Sequence, residues 1–339
     1  MVVRRLKFLL LAIGMGLVIF ILSEMNFRET IQLLHRIQFG FVFILFLYFL
    51  AFLIDTFTWQ LTLKEIPLTA TWIYRFFKMR LAGEAFNNLT PFAGMGGEPV
   101  KAMLLKQYYG IGYRDGIASL ILTKTINVVA LILFLVIGFL FVLDSTDLNI
   151  KYKTAAGVGL TTFSIGVILF FLVQRLRVTS STGGFLFRLG MQTRVLGAIK
   201  HIKTVEDRLV AFYVEQRIRL IWALVFALGN WILGAFEIFY TMQFLGYPVS
   251  MVDAWIIEAI TQLVRAGTFF IPASIGAQEG VLVVIGAAIT GSTTAGFTTA
   301  IVRRIREVIW ITWGMLVYYF MKPEVCMDDF QSTQEGSIE

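Results

Sequence analysis

Charged side chains and cysteine are both scarce in this chain of 339 residues. Charged residues make up 15% of it, against about 25% in an average soluble domain. The one cysteine, Cys326, excludes an intrachain disulfide framework. The two histidines, His35 and His201, lie far apart, so we expect no zinc or haem site and predict no cofactor. No nucleotide-binding motif occurs either, so we expect neither ATP hydrolysis nor a nucleic-acid partner.

What the chain has instead is hydrophobic length. Hydrophobic residues make up 58% of the sequence, and its mean hydropathy is +0.78. Several uncharged runs approach the roughly 20 residues that a helix needs to cross a bilayer, and strand-type alternation is absent. The sequence therefore predicts an all-α polytopic membrane protein. The runs are 125–143, 154–174, 220–236 and 280–302, with slightly shorter ones at 8–23 and 39–54.

Basic residues predict the orientation of the chain. Arg4, Arg5 and Lys7 precede a first apolar helix at about 6–22, which ends without a small-residue cleavage site, so we expect an uncleaved anchor. Residues 175–219 carry nine Lys or Arg and three acids. By the positive-inside rule, this segment and the N-terminus are cytoplasmic, and we expect a multi-pass protein of the prokaryotic cytoplasmic (inner) membrane. The basic segment is either a topology signal alone or an interfacial helix on anionic lipid.

The helix pattern predicts one transmembrane domain at 1–321, with the basic segment at 175–217, and a polar, acidic, disordered tail at 322–339. We expect about six full spans plus two helix-broken, re-entrant hairpins; eight full spans are the alternative. A short amphipathic helix at 26–37 is predicted to lie on the outer surface. The full spans are predicted at about 6–22, 39–62, 116–143, 154–175, 218–244 and 297–321.

Two interruptions of the helical pattern resemble each other. The first interruption, "PFAGMGGE", is residues 91–98, and the second interruption, "PASIGAQE", is residues 272–279. Each follows a helix that carries an arginine and a glycine. Paired interruptions by glycine and proline in the two halves of a transporter point to its binding site. If one hairpin opens inward and the other outward, the halves are inverted repeats; a chance match is the alternative.

The first interruption contains the chemistry of an anion site. A broken helix leaves backbone N–H groups free to bind anions such as phosphate, and the small residues let a ligand approach the backbone. Lys101 lies one turn from Glu98 and adds a cation. The alternative is a tight turn between packed helices in which Glu98 and Lys101 only pair with each other.

Further polar residues recur at helical spacing around the interruptions. Ionisable groups inside a membrane cost roughly 2.5–3.5 kcal/mol each, so we expect them to pair inside a shared cavity. Glu237 stands alone in an apolar run and is either protonated or paired across helices, while Asp55 belongs to a weaker polar stripe. We predict no catalytic or metal-binding residue. The predicted substrate-binding residues are Arg80, Glu84, Asn87, Asn88, Pro91, Gly96, Gly97, Glu98, Lys101, Lys124, Glu258, Arg265, Pro272, Gly276, Glu279, Arg303 and Arg304.

These motifs resemble a known family. The stretches "RLAGEAFNNLTPFAGMGGEPVKAMLL" and "IPASIGAQEGVLVV" are similar to the flippase-like family that includes the N-terminal membrane domain of lysylphosphatidylglycerol synthase. The resemblance spans roughly residues 5–321. Gln278 and Lys101 depart from it, since the family commonly has a basic residue at the first position and arginine at the second. Lysine cannot reproduce the bidentate grip of arginine, so headgroup identity does not transfer.

The resemblance implies that the chain moves polar lipids between leaflets or assists pathways that make them. We therefore predict a flippase- or scramblase-like transporter for an anionic, phosphate-containing lipid, either a phospholipid or a polyprenyl phosphate, with a lipid-modifying enzyme as a further partner. Two alternatives stay open. One is an intramembrane lipid-linked transferase that uses Asp55, Glu84 and Glu98, although no clustered acid motif is present. The other is a non-transporting subunit of a lipid-synthesis complex.

Overall fold

The computed structural model describes residues 27–64, 66–89, 96–145, 148–175, 212, 215–269 and 271–321. These residues form ten α-helices and one short 3-10 turn, with no strand among them. The helices are α1 (Phe27–Ile37), α2 (Gly40–Leu61), α3 (Ala70–Leu89), α4 (Gly97–Tyr109), α5 (Tyr113–Asp144), α6 (Ile150–Arg175), α7 (Arg217–Leu245), α8 (Met251–Gly267), α9 (Ala277–Thr290) and α10 (Thr293–Phe320).

The all-helical prediction is confirmed for the described part of the chain, and the helix ends fall within a few residues of the predicted ones. Among the described helices, four are long and apolar enough to cross a membrane: α2, α5, α6 and α7. Helix α10 has 28 residues but carries three arginines and a glutamate in its middle. The predicted helix at 6–22, most of the basic segment at 175–217 and the tail at 322–339 lie outside the described residues.

The helices pack as two similar halves. We call α2–α5 the first half and α7–α10 the second half. Helices α2 and α7 have the largest contact, α3 packs on α10, and α8 packs on α5. Within each half the hairpin helices also contact each other and the helix that follows them. The interhalf contacts place both interrupted hairpins beside the long final helix of the opposite half.

Aromatic and small side chains close the contact between the halves on the side of α2 and α10. Phe52 stacks on Trp310 with ring centroids 5.4 Å apart, and Tyr48 lies 5.3 Å from the same indole. Such aromatic pairs stabilise a core beyond the area they bury. They also form one wall of the polar region described next, because Arg306 lies over the Tyr48 ring at 3.8 Å.

Candidate functional site: a polar chamber between the halves

The first interruption is held by a very close approach of α3 and α4. A Cβ on Gly97 would lie 1.8 Å from the carbonyl oxygen of Gly83, so only glycine fits there. The Gly97 N–H donates to Oδ1 of Asn87 at 2.7 Å, which satisfies one of the free donors at the start of α4. The two glycines and Asn87 thus fix where α4 begins relative to the end of α3.

Glu98, in the first turn of α4, forms ion pairs with two lysines. Its Oε1 lies 2.8 Å from Nζ of Lys101 and 3.2 Å from Nζ of Lys124 on α5. The Lys124 side chain is 52% exposed, whereas Lys101 is buried. The second oxygen of Glu98 is buried and has no hydrogen-bond partner within the described part of the chain. This carboxylate therefore keeps capacity for a further contact.

Asp55 on α2 and Arg80 on α3 form a second ion pair beside the first. Asp55 also accepts a hydrogen bond from Nδ2 of Asn127 at 2.9 Å. Arg80 donates to the carbonyl of Phe52 at 2.9 Å. Together with Asn127, this ion pair joins three helices of the first half: α2, α3 and α5.

Glu84 is different from the other carboxylates. It accepts only long hydrogen bonds, both at 3.4 Å, from the side chains of Asn87 and Asn88. No cation among the described residues lies within ion-pairing distance of it. One turn of α3 therefore presents a carboxylate that the protein itself does not neutralise by direct contact.

The second interruption is built on unusual backbone. Ala273 and Ser274 have φ of 50° and 48°, and Gly276 has φ of 83°. Left-handed backbone costs an L-residue roughly 1–2 kcal/mol, and glycine adopts it freely. The Gly276 N–H donates to Oε2 of Glu279 at 2.8 Å, which caps the start of α9.

Arg304 on α10 locks the second interruption in place. Its guanidinium lies 2.5 Å from Glu279 and 2.7 Å from Glu307, and it donates to the carbonyl of Ala273 at 3.1 Å. Arginine offers several donors in a fixed fork, and here the fork joins the interruption, the start of α9 and α10.

A deeper network joins α7, α8 and α10. Arg303 lies 2.5 Å from Glu258, which also accepts from Nε2 of Gln262 at 2.6 Å. Arg306 pairs with Glu237, and Arg303 approaches the same carboxylate at 3.7 Å. All five side chains are buried. Of the two alternatives for Glu237, the structure shows pairing across helices.

Two adjoining cavities bring most of these groups together. Their volumes are about 180 Å³ and 350 Å³, and both are lined by Arg80, Glu84, Asn230 and Trp231. We call the combined space the polar chamber. Its charged lining consists of six cations and five carboxylates from α2, α3, α4, α5, α7, α8 and α10: Arg80, Lys101, Lys124, Arg265, Arg303, Arg306, Asp55, Glu84, Glu98, Glu237 and Glu258.

Arg265 is the one cation of the chamber whose side chain has no partner among the described residues. Its guanidinium, unlike the side chains of the other five, forms no ion pair or hydrogen bond with any of them. Asn230, on the facing helix α7, also has no side-chain hydrogen bond among these residues. A guanidinium and an amide inside a cavity, both without partners, can receive an oxygen-rich ligand.

The structure sorts the predicted site residues into two groups. Those that line the chamber are Arg80, Glu84, Glu98, Lys101, Lys124, Glu258, Arg265 and Arg303. Those that shape the interruptions without lining either cavity are Asn87, Asn88, Gly96, Gly97, Pro272, Gly276, Glu279 and Arg304. Pro91 lies outside the described residues.

Several chamber residues were absent from the predicted site, among them Asp55, Asn127, Asn230, Glu237 and Arg306. Two of these carried a usable signal. A carboxylate inside an apolar run needs a partner, which applied to Glu237, and Arg306 lies one turn beyond Arg303 on the same face. Among the described residues, no three histidine, cysteine or acidic side chains come close enough to hold a metal ion.

The sequence comparisons agree with this architecture. The profile of the family described as "Lysylphosphatidylglycerol synthase TM region" matches residues 7–314. The chain belongs to this family. The predicted resemblance to this family is thereby confirmed, and so is the prediction of a multi-pass membrane protein.

Relatives within this family carry names that state only a membrane protein. A "UPF0104 membrane protein PH1989" of Pyrococcus horikoshii is 30% identical over 139 residues, which is 40% of this chain and 41% of the relative. A "UPF0104 membrane protein" of Methanothermobacter thermautotrophicus is 22% identical over 254 residues, 70% of this chain and 71% of the relative. No solved structure matches the chain significantly.

Proposed function

We propose that this member of the lysylphosphatidylglycerol synthase TM family is a flippase- or scramblase-like transporter for a polar lipid. The observation that carries the proposal is the polar chamber, with its eleven charged side chains inside a membrane domain. Buried charges of this number are expensive in a membrane and are retained where they act on a substrate or ion. A lipid headgroup is the polar object that such a domain meets on both sides.

The balance of charge in the chamber indicates the kind of headgroup. Six cations face five carboxylates there, and the Arg265 guanidinium and the Glu84 carboxylate are the two charged groups without an ion pair among the described residues. Guanidinium groups bind phosphate through two parallel hydrogen bonds, and Asn230 can donate to a neighbouring oxygen. We therefore propose a phosphate-containing, anionic lipid, either a phospholipid or a polyprenyl phosphate.

Helix lengths support two re-entrant hairpins. Helix α4 has 13 residues and α9 has 14, or about 20 Å at 1.5 Å per residue, which is short of the roughly 30 Å hydrocarbon core. We infer that α3–α4 and α8–α9 each enter and leave on the same side. The corresponding contacts of the two halves support an inverted repeat.

In this proposal the carboxylates other than Glu84 hold cations in place, and none of the carboxylates acts as a catalytic base. The N-terminus and the basic segment face the cytoplasm of a prokaryotic cell, following the distribution of Lys and Arg. A lipid-modifying enzyme is the partner that would supply or consume the transported lipid.

Arg265→Gln tests the proposal with little structural cost, because Arg265 has no described partner. We expect native mass spectrometry of protein extracted gently from its own membrane to show one or a few phosphate lipids on the wild type. Their occupancy should fall about 10–100-fold in Arg265→Gln, the equivalent of a charge-assisted contact of about 1.5–3 kcal/mol. Transport of the identified lipid in proteoliposomes should fall in parallel.

Arg114→Gln is the matched control. Arg114 is exposed at the start of α5 and lines neither cavity of the chamber, so this variant should retain wild-type lipids. The mass of the retained species separates a phospholipid from a polyprenyl phosphate. Identical lipid profiles for the wild type and Arg265→Gln would contradict the headgroup assignment.

A further inference from the structure

A second cavity, apolar and larger, lies on the other side of α8 from the polar chamber. Its volume is about 660 Å³, inside the range of roughly 300–1,000 Å³ that small-molecule sites occupy. It is formed mainly by one face of α6 and one face of α8. We call it the tail groove, and its small lining residues, which create the space, are Ala155, Ala156, Gly159, Gly166, Ala266 and Gly267.

The lining of the tail groove is almost entirely apolar. Among the described residues that line it, Tyr152 and Thr162 are the ones with polar side chains. The Thr162 hydroxyl donates to the carbonyl of Val158 in its own helix at 2.8 Å, and Tyr152 lies at the first turn of α6. A ligand in most of this groove can form no hydrogen bond there, so the complementary occupant is an alkyl or isoprenoid chain.

The tail groove and the polar chamber share a wall. Ala266 lines both, and Arg265, the unpaired cation of the chamber, directly precedes it in α8. A phosphate bound at Arg265 therefore lies beside the edge of α8 at which the chamber and the groove meet, so the chain of the same lipid can continue around this edge into the groove. This continuity distinguishes the groove from an arbitrary recess on a membrane protein.

The length of the groove is also compatible with a lipid hydrocarbon chain that moves between the two leaflets. Tyr152 and Val167 both line it, and 15 helical steps span about 22 Å. One leaflet contributes about 15 Å, half of the roughly 30 Å hydrocarbon core. A chain in the groove thus stays sheltered while its headgroup passes the middle of the membrane.

We propose that the tail groove between α6 and α8 binds one hydrocarbon chain of the lipid whose phosphate is held at Arg265. The assignment rests on the proposed function and adds to it the path of the chain. It commits to a chain tethered to an anionic headgroup, in contrast to bulk lipid that fills any free surface.

Gly166→Phe is the variant that fills the groove. A Cβ at Gly166 meets no atom within 4 Å, so the phenyl ring can occupy the groove without displacing backbone. Gly229→Phe on α7 is the matched control, because Gly229 has the same open surroundings and lines neither the groove nor the chamber. Melting temperatures equal to that of the wild type would show that neither variant damages the fold.

The experiment uses two photoactivatable probes with the same diazirine-bearing chain, one a phosphatidylglycerol and one a phosphatidylcholine, in nanodiscs. In the wild type we expect the anionic probe to label peptides covering 152–167 and 260–269 several-fold more than the zwitterionic probe. Gly166→Phe should remove this labelling and Gly229→Phe should leave it. Arg265→Gln should lower the anionic probe to the level of the zwitterionic one.

Two results would overturn the proposal. Equal labelling of the groove by both probes in the wild type would mean bulk lipid, and absence of labelling in the wild type would mean that another part of the chain covers the groove. Lipid retention is measured on the same samples. Lipid retention that depends on Arg265, without labelling of the groove, would refute the proposed groove and leave the proposed transporter. Absence of both retention and labelling would refute both proposals.

Discussion

In both interruptions a glutamate binds a cation from another helix, but this contact is much stronger in the second interruption than in the first. In each, a glutamate in the first turn of the second hairpin helix binds a cation from the long helix that ends the same half. Glu98 binds Lys124 on α5 at 3.2 Å, and Glu279 binds Arg304 on α10 at 2.5 Å. Lys124 has a 52% exposed side chain and this one ion pair, whereas Arg304 is 25% exposed and has two more acceptors.

This difference shows that a repeated motif need not have a repeated role. An arginine fork bound to two carboxylates and a carbonyl fixes the geometry of the second interruption. A single lysine contact at a half-exposed site contributes little to stability and can break at low cost. The contact from Glu279 to its closing helix α10 is therefore the stronger of the two, and the contact from Glu98 to α5 is the weaker.

Substituting the key glycine of each interruption should give the largest effect and the clearest contrast. Gly97→Ala places a methyl group 1.8 Å from the Gly83 carbonyl, which should destabilise the protein by about 3 kcal/mol or more. Gly276→Ala meets strain from φ of 83° and should cost about 1–2 kcal/mol. Thermal unfolding in detergent, followed by tryptophan fluorescence, measures both, and equal losses would contradict the structure of the first interruption.

Arg304→Gln should have the next largest effect. It removes three contacts and leaves Glu279 and Glu307 without their closest cation, at an expected cost of about 2–3 kcal/mol. Arg304→Lys keeps the charge and loses the fork, so its melting temperature should lie between those of the wild type and Arg304→Gln. A lysine variant as stable as the wild type would show that charge alone holds the second interruption.

Lys124→Gln should have the smallest effect on stability, about 0–1 kcal/mol, as expected for an exposed ion pair. Its effect on lipid transport in proteoliposomes should be larger than its effect on unfolding, because Lys124 lines the polar chamber. A loss of stability equal to that of Arg304→Gln would contradict the difference in strength between the two contacts.

The sequence predicted the helices more completely than it predicted the contacts between them. Hydrophobic run length predicted α2, α5, α6 and α7 to within a few residues, because span length is set by the bilayer. Glycine and proline located both interruptions. The partners of the charges were harder to predict, since Asp55–Arg80, Glu258–Arg303 and Glu237–Arg306 join residues from 25 to 69 positions apart.

The site was predicted in part for the same reason. Helical spacing indicated polar positions around the interruptions, and the structure places two of the predicted residues on α8, Glu258 and Arg265, at the polar chamber. Spacing alone gives no information about which of them finds a partner on another helix. It therefore did not distinguish Arg265, which is unpaired, from Arg303, which is bound to Glu258, and that difference decides which residue is open to a ligand.

The ion pairs of α10 have a consequence for how the protein is made. Glu237, Glu258 and Glu279 belong to α7, α8 and α9, and their arginine partners are all on α10. Since a chain is synthesised from its N-terminus, these three carboxylates reach the membrane before any of their cations exists. In the first half the ion pairs form within one helix or between consecutive helices, as in Asp55–Arg80 and Glu98–Lys101. The three carboxylates of the second half gain their cations only after its last helix has left the ribosome.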